Sequence, residues 1–96
     1  MSDKNDLERF VDEGIRIGLT KKYSPHRFEQ MRARHGTIDA IKRLVISGDI
    51  QSGFVKMKTL DIVEWSLEAA VLNFEGLFGK EVYKAAAFRF DQLKNL

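Results

Sequence analysis

The chain has 96 residues, 44% hydrophobic and 31% charged, with a net charge of +2, the size and balance of one soluble domain with a single core. The absence of cysteine excludes a disulfide scaffold, a thiol nucleophile and thiolate metal sites, and it points to a reducing, cytoplasmic setting. Apolar runs such as Ala69-Ala70-Val71-Leu72 fall far short of the ~18 residues a membrane helix needs, and the polar opening Met1-Ser2-Asp3-Lys4-Asn5-Asp6 does not read as a leader.

The first predicted element covers residues 6–20, where Leu7, Phe10, Val11, Ile15, Ile17 and Leu19 recur at three- and four-residue steps, the pattern of an amphipathic helix. Asn5 or Ser2 is placed to cap it, and Asp6 and Glu8 lie near the positive end of its dipole. Gly14 and Gly18 fall within the apolar arc. Each costs roughly 1 kcal/mol of helix propensity relative to Ala, so a neighbouring helix is expected to approach closely there across a flat surface. Lys21-Lys22-Tyr23 reads as the connection. Ser24-Pro25 then supplies a hydroxyl cap and a proline for the first helical position. This second helix is expected to reach Arg34 or His35, turn Phe28, Met31 and His35 inward, and close at a left-handed Gly36. Thr37 opens a third helix with Ile38, Ile41, Leu44 and Val45 on one side. In it Asp39 and Arg43 form an i,i+4 pair, and Ser47-Gly48 ends it.

Residues 52–58 read as a short amphipathic helix or turn offering Phe54, Val55 and Met57 to the core, and residues 59–64 as irregular. Ser66 caps a helix over Leu67–Leu72, with Glu68 in its first turn and Asn73 at its end. Phe74, Leu77 and Phe78 are expected to pin the next loop to the core. The last helix is predicted from Lys80 to about Leu93, with Gly79 as its cap and Phe78 and Tyr83 in hydrophobic-staple positions. Its inward arc contains Val82, Tyr83, Ala86, Ala87, Phe90 and Leu93. Phe88 lies opposite, between Lys84 and Asp91; such an aromatic is either folded under a neighbour or part of a contact surface. The expected fold is all-α, a single domain over residues 1–96 with about five short helices.

The series Tyr23-Ser24-Pro25, His35-Gly36, Lys42-Arg43-Leu44, Gly53-Phe54, Leu67-Glu68-Ala69-Ala70 and Leu77-Phe78 resembles a small all-helical module of uncharacterised prokaryotic proteins. That module is sometimes appended to larger proteins such as nucleases. The resemblance covers residues 23–93, leaves the first helix outside, and implies a helical fold in a mobile-element or defence setting. It carries no catalytic residue over. Met57-Lys58 stands where the module has a Trp-Glu pair, and residues 59–65 also depart from its pattern.

Charge is placed unevenly. Residues 1–15 carry a balance of −3, residues 16–43 one of +6, and residues 44–96 one of −1. A basic block can attract phosphates or an acidic protein surface. Catalysis has little to work with. His26 and His35 are the only histidines and stand nine apart. His26 with Glu29 makes half of a carboxylate-bridged metal site and lacks the other half. His35, on the apolar side before a glycine stop, reads as a packed, hydrogen-bonded residue. Gly76 and Gly79 lack the spacing and the preceding strand of a phosphate loop. No catalytic residue, metal ligand or cofactor is expected.

The two helices meeting at Gly36 invite comparison with the DNA-reading helix pair. The second of them exposes Asp39, Lys42 and Arg43, with no run of Asn, Gln or Arg for base edges. The expectation that follows is a non-enzymatic protein-interaction module (adaptor, subunit or inhibitor), with nucleic-acid binding through residues 16–43 as the alternative. The candidate contact groups are Lys21, Lys22, Arg27, Arg34 and Arg43, which suit an acidic protein partner. Lys84 with Phe88 forms a separate candidate, which would suit a second copy of the chain. No membrane partner is expected.

Overall fold

The computed structural model describes residues 3–47 and 52–93, among which every regular element is helical. Helix α1 (Asp3–Thr20) starts earlier than expected, so Asn5 lies inside it and does not cap it; Ser2 lies outside the described residues. The helix stops without a glycine. Lys22 adopts φ 61°, the Lys22 N–H donates to the Leu19 carbonyl at 3.1 Å, and the Tyr23 N–H donates to that of Gly18 at 2.8 Å. This pair of bonds is a Schellman closure, with lysine in the left-handed position that glycine usually fills.

Helix α2 (His26–His35) follows a Pro25 cap that makes no side-chain hydrogen bond, so the expected Ser24 hydroxyl cap does not form and Pro25 precedes the first helical residue. Phe28 is buried and Met31 half-buried, but His35 is exposed, which corrects the reading of a packed histidine. Gly36 sits at φ 84°, ψ 167°, an extended mirror-image conformation and not the left-handed closure expected of it. Only glycine adopts it at low cost. There the Gly36 N–H donates to the Arg32 carbonyl and its own carbonyl accepts from Ala40. One residue therefore ends α2 and begins α3 (Thr37–Ile46).

Helix α3 buries Ala40, Ile41, Leu44 and Val45; the end expected at Ser47-Gly48 reaches Ser47, and Gly48 lies outside the described residues. Helix α4 (Ser52–Thr59) buries Phe54 and Met57 and leaves Val55 exposed, against the expectation for Val55. It ends in a second Schellman closure, with Asp61 at φ 62° and the Ile62 N–H donating to the Met57 carbonyl at 2.9 Å. Ile62 and Met57, the two apolar residues this motif brings together, are both buried. The stretch expected to be irregular thus contains a closure and a single 3-10 turn, Val63–Trp65.

The Ser66 hydroxyl accepts from the Ala69 N–H at 3.1 Å and caps α5 (Leu67–Asn73) as expected. A 3-10 turn, Glu75–Leu77, leads to α6 (Lys80–Leu93). Phe78 is buried, and Phe74, Leu77 and Tyr83 pack against the core, so the loop is held as its apolar residues predict. The described α-helices number six, not about five, and the all-α class stands.

Helix α2 packs on α3, α5 on α6, α6 also on α3, and α1 across α5. The core runs from Leu7 and Val11 on α1 through Ile41 and Val45 to Val71 and Ala86. Burying each large aliphatic side chain contributes about 1.5–3 kcal/mol, so α1 is an integral wall of the domain. Polar ties reinforce this packing. Arg32 on α2 reaches Glu8 at 2.6 Å and Asp12 at 2.8 Å on α1. The Lys58 ammonium donates to the Leu93 carbonyl at 2.7 Å, a favourable place for a cation at a helix C-terminus. The radius of gyration is 12.3 Å, against about 12.5 Å for a compact chain of this length.

Candidate functional site: an apolar cleft with a cationic rim

Two glycines set the geometry of the site. A Cβ on Gly14 would stand 3.0 Å from the Trp65 carbonyl oxygen, and one on Gly18 would stand 3.1 Å from that of Tyr23. The missing side chains let both segments lie directly on α1; the close approach is the one the sequence anticipates, but it is made by the 3-10 turn at Trp65 and the turn at Tyr23, not by a neighbouring helix. Between them, where α1 meets the start of α2, α4 and α5, a cleft of about 540 Å³ opens. Ligand pockets typically span roughly 300–1,000 Å³.

Phe10, Ile15, Phe54, Met57, Trp65 and Leu67 form much of its apolar wall. The rings are braced from behind. Phe10 lies 5.0 Å from Trp65 and 5.8 Å from Phe74 between centroids, and Phe54 meets Phe90 edge-on at 5.2 Å. Aromatic pairs at these separations gain about 0.5–1.5 kcal/mol beyond their area burial, which favours a standing wall over collapse.

Three polar side chains reach the interior. The Ser66 hydroxyl is engaged in its cap. The Glu68 Oε2 accepts from the Arg89 Nη1 at 2.7 Å. Its other oxygen, Oε1, accepts no hydrogen bond among the described residues. Among those residues no wholly buried side-chain oxygen or nitrogen lacks a partner, so Oε1 keeps a trace of exposure, and Glu68 is one of the residues lining this cleft. The Tyr23 hydroxyl stands beside Gly53, where a Cβ would come within 2.5 Å of it. Burial pushes the Tyr23 phenol above its ordinary value, and the Glu68 charge pushes the same way, so the phenol keeps its proton at neutral pH. At the mouth, His26, Arg27 and Lys56 are exposed. Neither Arg27 nor Lys56 is held in an ion pair among the described residues, and Glu68 is the only acidic residue among the described residues that line the cleft.

The residues proposed from sequence divide around this feature. Arg27 is on the rim, and Lys21 and Lys22 are exposed in the turn that leads into it. Arg34 is exposed two helical turns beyond Arg27 on α2. Arg43 pairs with Asp39 at 3.2 Å, as their spacing predicts. Lys84 and Phe88 lie on α6 and do not line the cleft; Phe88 is 60% exposed and is covered by no described segment. Part of the basic block is answered inside the molecule, since Arg16 bonds Glu13 and Arg32 bonds Glu8 and Asp12. The acidic first stretch therefore lies along the basic block and neutralises part of it.

Trp65, Glu68 and Lys56 were not legible as site residues. A carboxylate in a helix's first turn reads as a complement to the dipole, and nothing local reveals a partner 21 positions away. No family model matches the chain, and comparisons with curated proteins and with solved structures find no match. Among the described residues no group of His, Cys, Asp and Glu is placed to hold a metal ion, and no helix is long and apolar enough to cross a membrane.

Proposed function

We propose that the chain is a non-enzymatic protein-interaction module, an adaptor, subunit or inhibitor, that holds an acidic segment of a partner protein at the cleft. The observation that supports this reading is the division of the cleft into aromatic and aliphatic walls and a rim of cations, Arg27 and Lys56, held in no ion pair among the described residues. An apolar anchor entering the cleft gains about 25 cal/mol for each Å² removed from water. The rim charges orient the flanking segment and speed its arrival. Lys21, Lys22 and Arg34 extend that field along the turn and α2. Arg43 contributes less, because Asp39 answers its charge. Phe88 with Lys84 forms a separate contact surface on α6, suited to a second copy of the chain.

Nucleic-acid binding through residues 16–43 is the second reading, favoured by Lys21, Lys22, Arg27 and Arg34, which form no ion pair among the described residues. The two are separated with Trp65, the chain's single tryptophan and a cleft residue. Its emission is followed while an acidic peptide with a central aromatic, or a mixed DNA and RNA oligonucleotide, is added at two salt concentrations. The proposal expects peptide binding that changes Trp65 emission and weakens with salt and with Arg27→Glu or Lys56→Glu. Binding of the oligonucleotide alone would replace it with the second reading.

A further inference from the structure

We infer that the anchor this cleft accepts is an aromatic side chain carrying its own hydrogen-bond donor, a tryptophan or tyrosine set among acidic residues of the partner. The inference rests on the protein-interaction reading and specifies what occupies the site. The Glu68 carboxylate side chain is 3% exposed, yet its Oε1 has no donor among the described residues. An acceptor with so little exposure keeps few contacts with water and gains from a donor that arrives with the ligand.

A cation is the wrong donor. Arg89 already balances the Glu68 charge at 2.7 Å, and an incoming ammonium or guanidinium would pass Arg27 and Lys56 at the mouth to bring excess positive charge inside. A neutral N–H or O–H meets the need without that charge. The walls ask for a flat apolar body, since the half-buried Phe10 and Trp65 line the cleft, with the buried Phe54 also in its wall. Indole and phenol combine such a body with a donor at the tip, which is why they dominate interface anchors. The rim fixes the rest of the segment: Arg27 and Lys56 are complementary to carboxylates flanking the anchor, and Glu68 is the one carboxylate among the described lining residues.

The test uses labelled peptides with identical acidic flanks and a single varied centre: tryptophan, tyrosine, 1-methyltryptophan, phenylalanine or leucine. Binding to the full chain is measured by fluorescence anisotropy. Tryptophan or tyrosine is expected to bind best, and 1-methyltryptophan, which has the ring without the N–H, at least about tenfold more weakly than tryptophan. Glu68→Gln, with its fold checked by circular dichroism, is expected to shrink the gap between tryptophan and 1-methyltryptophan. If that variant does not fold, the peptide series alone decides. Equal affinity for tryptophan and 1-methyltryptophan, or for leucine and tryptophan, overturns the inference and leaves the interaction module standing. Failure of every acidic peptide to bind overturns both.

Discussion

Arg89 on α6 and Glu68 on α5 meet through Nη1 and Oε2 at 2.7 Å, with only 4% and 3% of their side chains exposed. The pair clasps two helices that already share an apolar interface, and the second Arg89 nitrogen reaches the Ser47 hydroxyl after α3 at 3.3 Å. Burying two charges is expensive, and their attraction roughly offsets that cost only while both are present. Arg89→Leu alone is therefore expected to destabilise the chain by about 3–5 kcal/mol, and Glu68→Leu alone by a similar amount. The double variant is expected to recover most of the loss. Urea denaturation of the four proteins, read as a double-mutant cycle, measures the coupling. Additive losses would contradict the account.

Stability should also depend on pH through the tie between α1 and α2. Burial works to raise the Glu8 carboxyl, but hydrogen bonds from Thr37 and Arg32, with the Arg32 charge, outweigh it and hold the group below its ordinary value. A carboxyl depressed in the folded chain contributes stability above its unfolded value and loses it as pH falls through the folded one. The urea midpoint is thus expected to drop as the solution is acidified through and below the ordinary glutamate range. Glu8→Gln should remove part of that slope. Glu8 is about half exposed, so the effect is small, no more than about 1 kcal/mol. A slope identical in the variant and the parent would count against this assignment.

Backbone conformation offers a paired prediction of opposite sign. Gly36 has open space where a Cβ would sit, and its φ of 84° is the sole obstacle to a side chain. Gly36→Ala is expected to cost about 1–3 kcal/mol. Asp61 occupies a left-handed position that closes α4. Asp61→Gly is expected to stabilise by about 0.5–1 kcal/mol, because relief of the αL strain exceeds glycine's added entropy cost. Thermal denaturation of both variants checks the two signs.

These two positions also show what the sequence could and could not convey. Gly36 and the Ser66 cap are visible because glycine and serine at helix ends have specific backbone roles, and Lys80–Leu93 is visible from its apolar period. The ends of α1 and α4 fall at or within one residue of where the sequence pattern places them, but their left-handed closures are hidden because lysine and aspartate stand where glycine is the usual signal. His35 shows another limit: its place on the helix wheel suggested an inward side chain, but the abrupt corner at Gly36 leaves it in solvent. Of the cleft, the basic rim residue Arg27 and the two close-packing glycines were readable. Glu68 was not, since its burial depends on Arg89 and the packing of α5 on α6.

Phe88 supports a separate prediction. At 60% exposure it holds little of the core, so Phe88→Glu is expected to change stability by no more than about 0.5 kcal/mol. As a contact surface it should instead affect association, lowering self-association in sedimentation or weakening a partner complex. A folded variant with unchanged sedimentation and unchanged partner binding would remove Phe88 from the contact surfaces.

The most direct measurement is a map of backbone amide shifts while an acidic peptide with a central tryptophan is added to the isotopically labelled chain. Saturable shifts are expected at Tyr23–Phe28, Phe54–Met57 and Trp65–Glu68, with α6 around Phe88 undisturbed. Shifts that leave those three segments unmoved, or that gather elsewhere on the molecule, would contradict the assignment of the cleft as the recognition site.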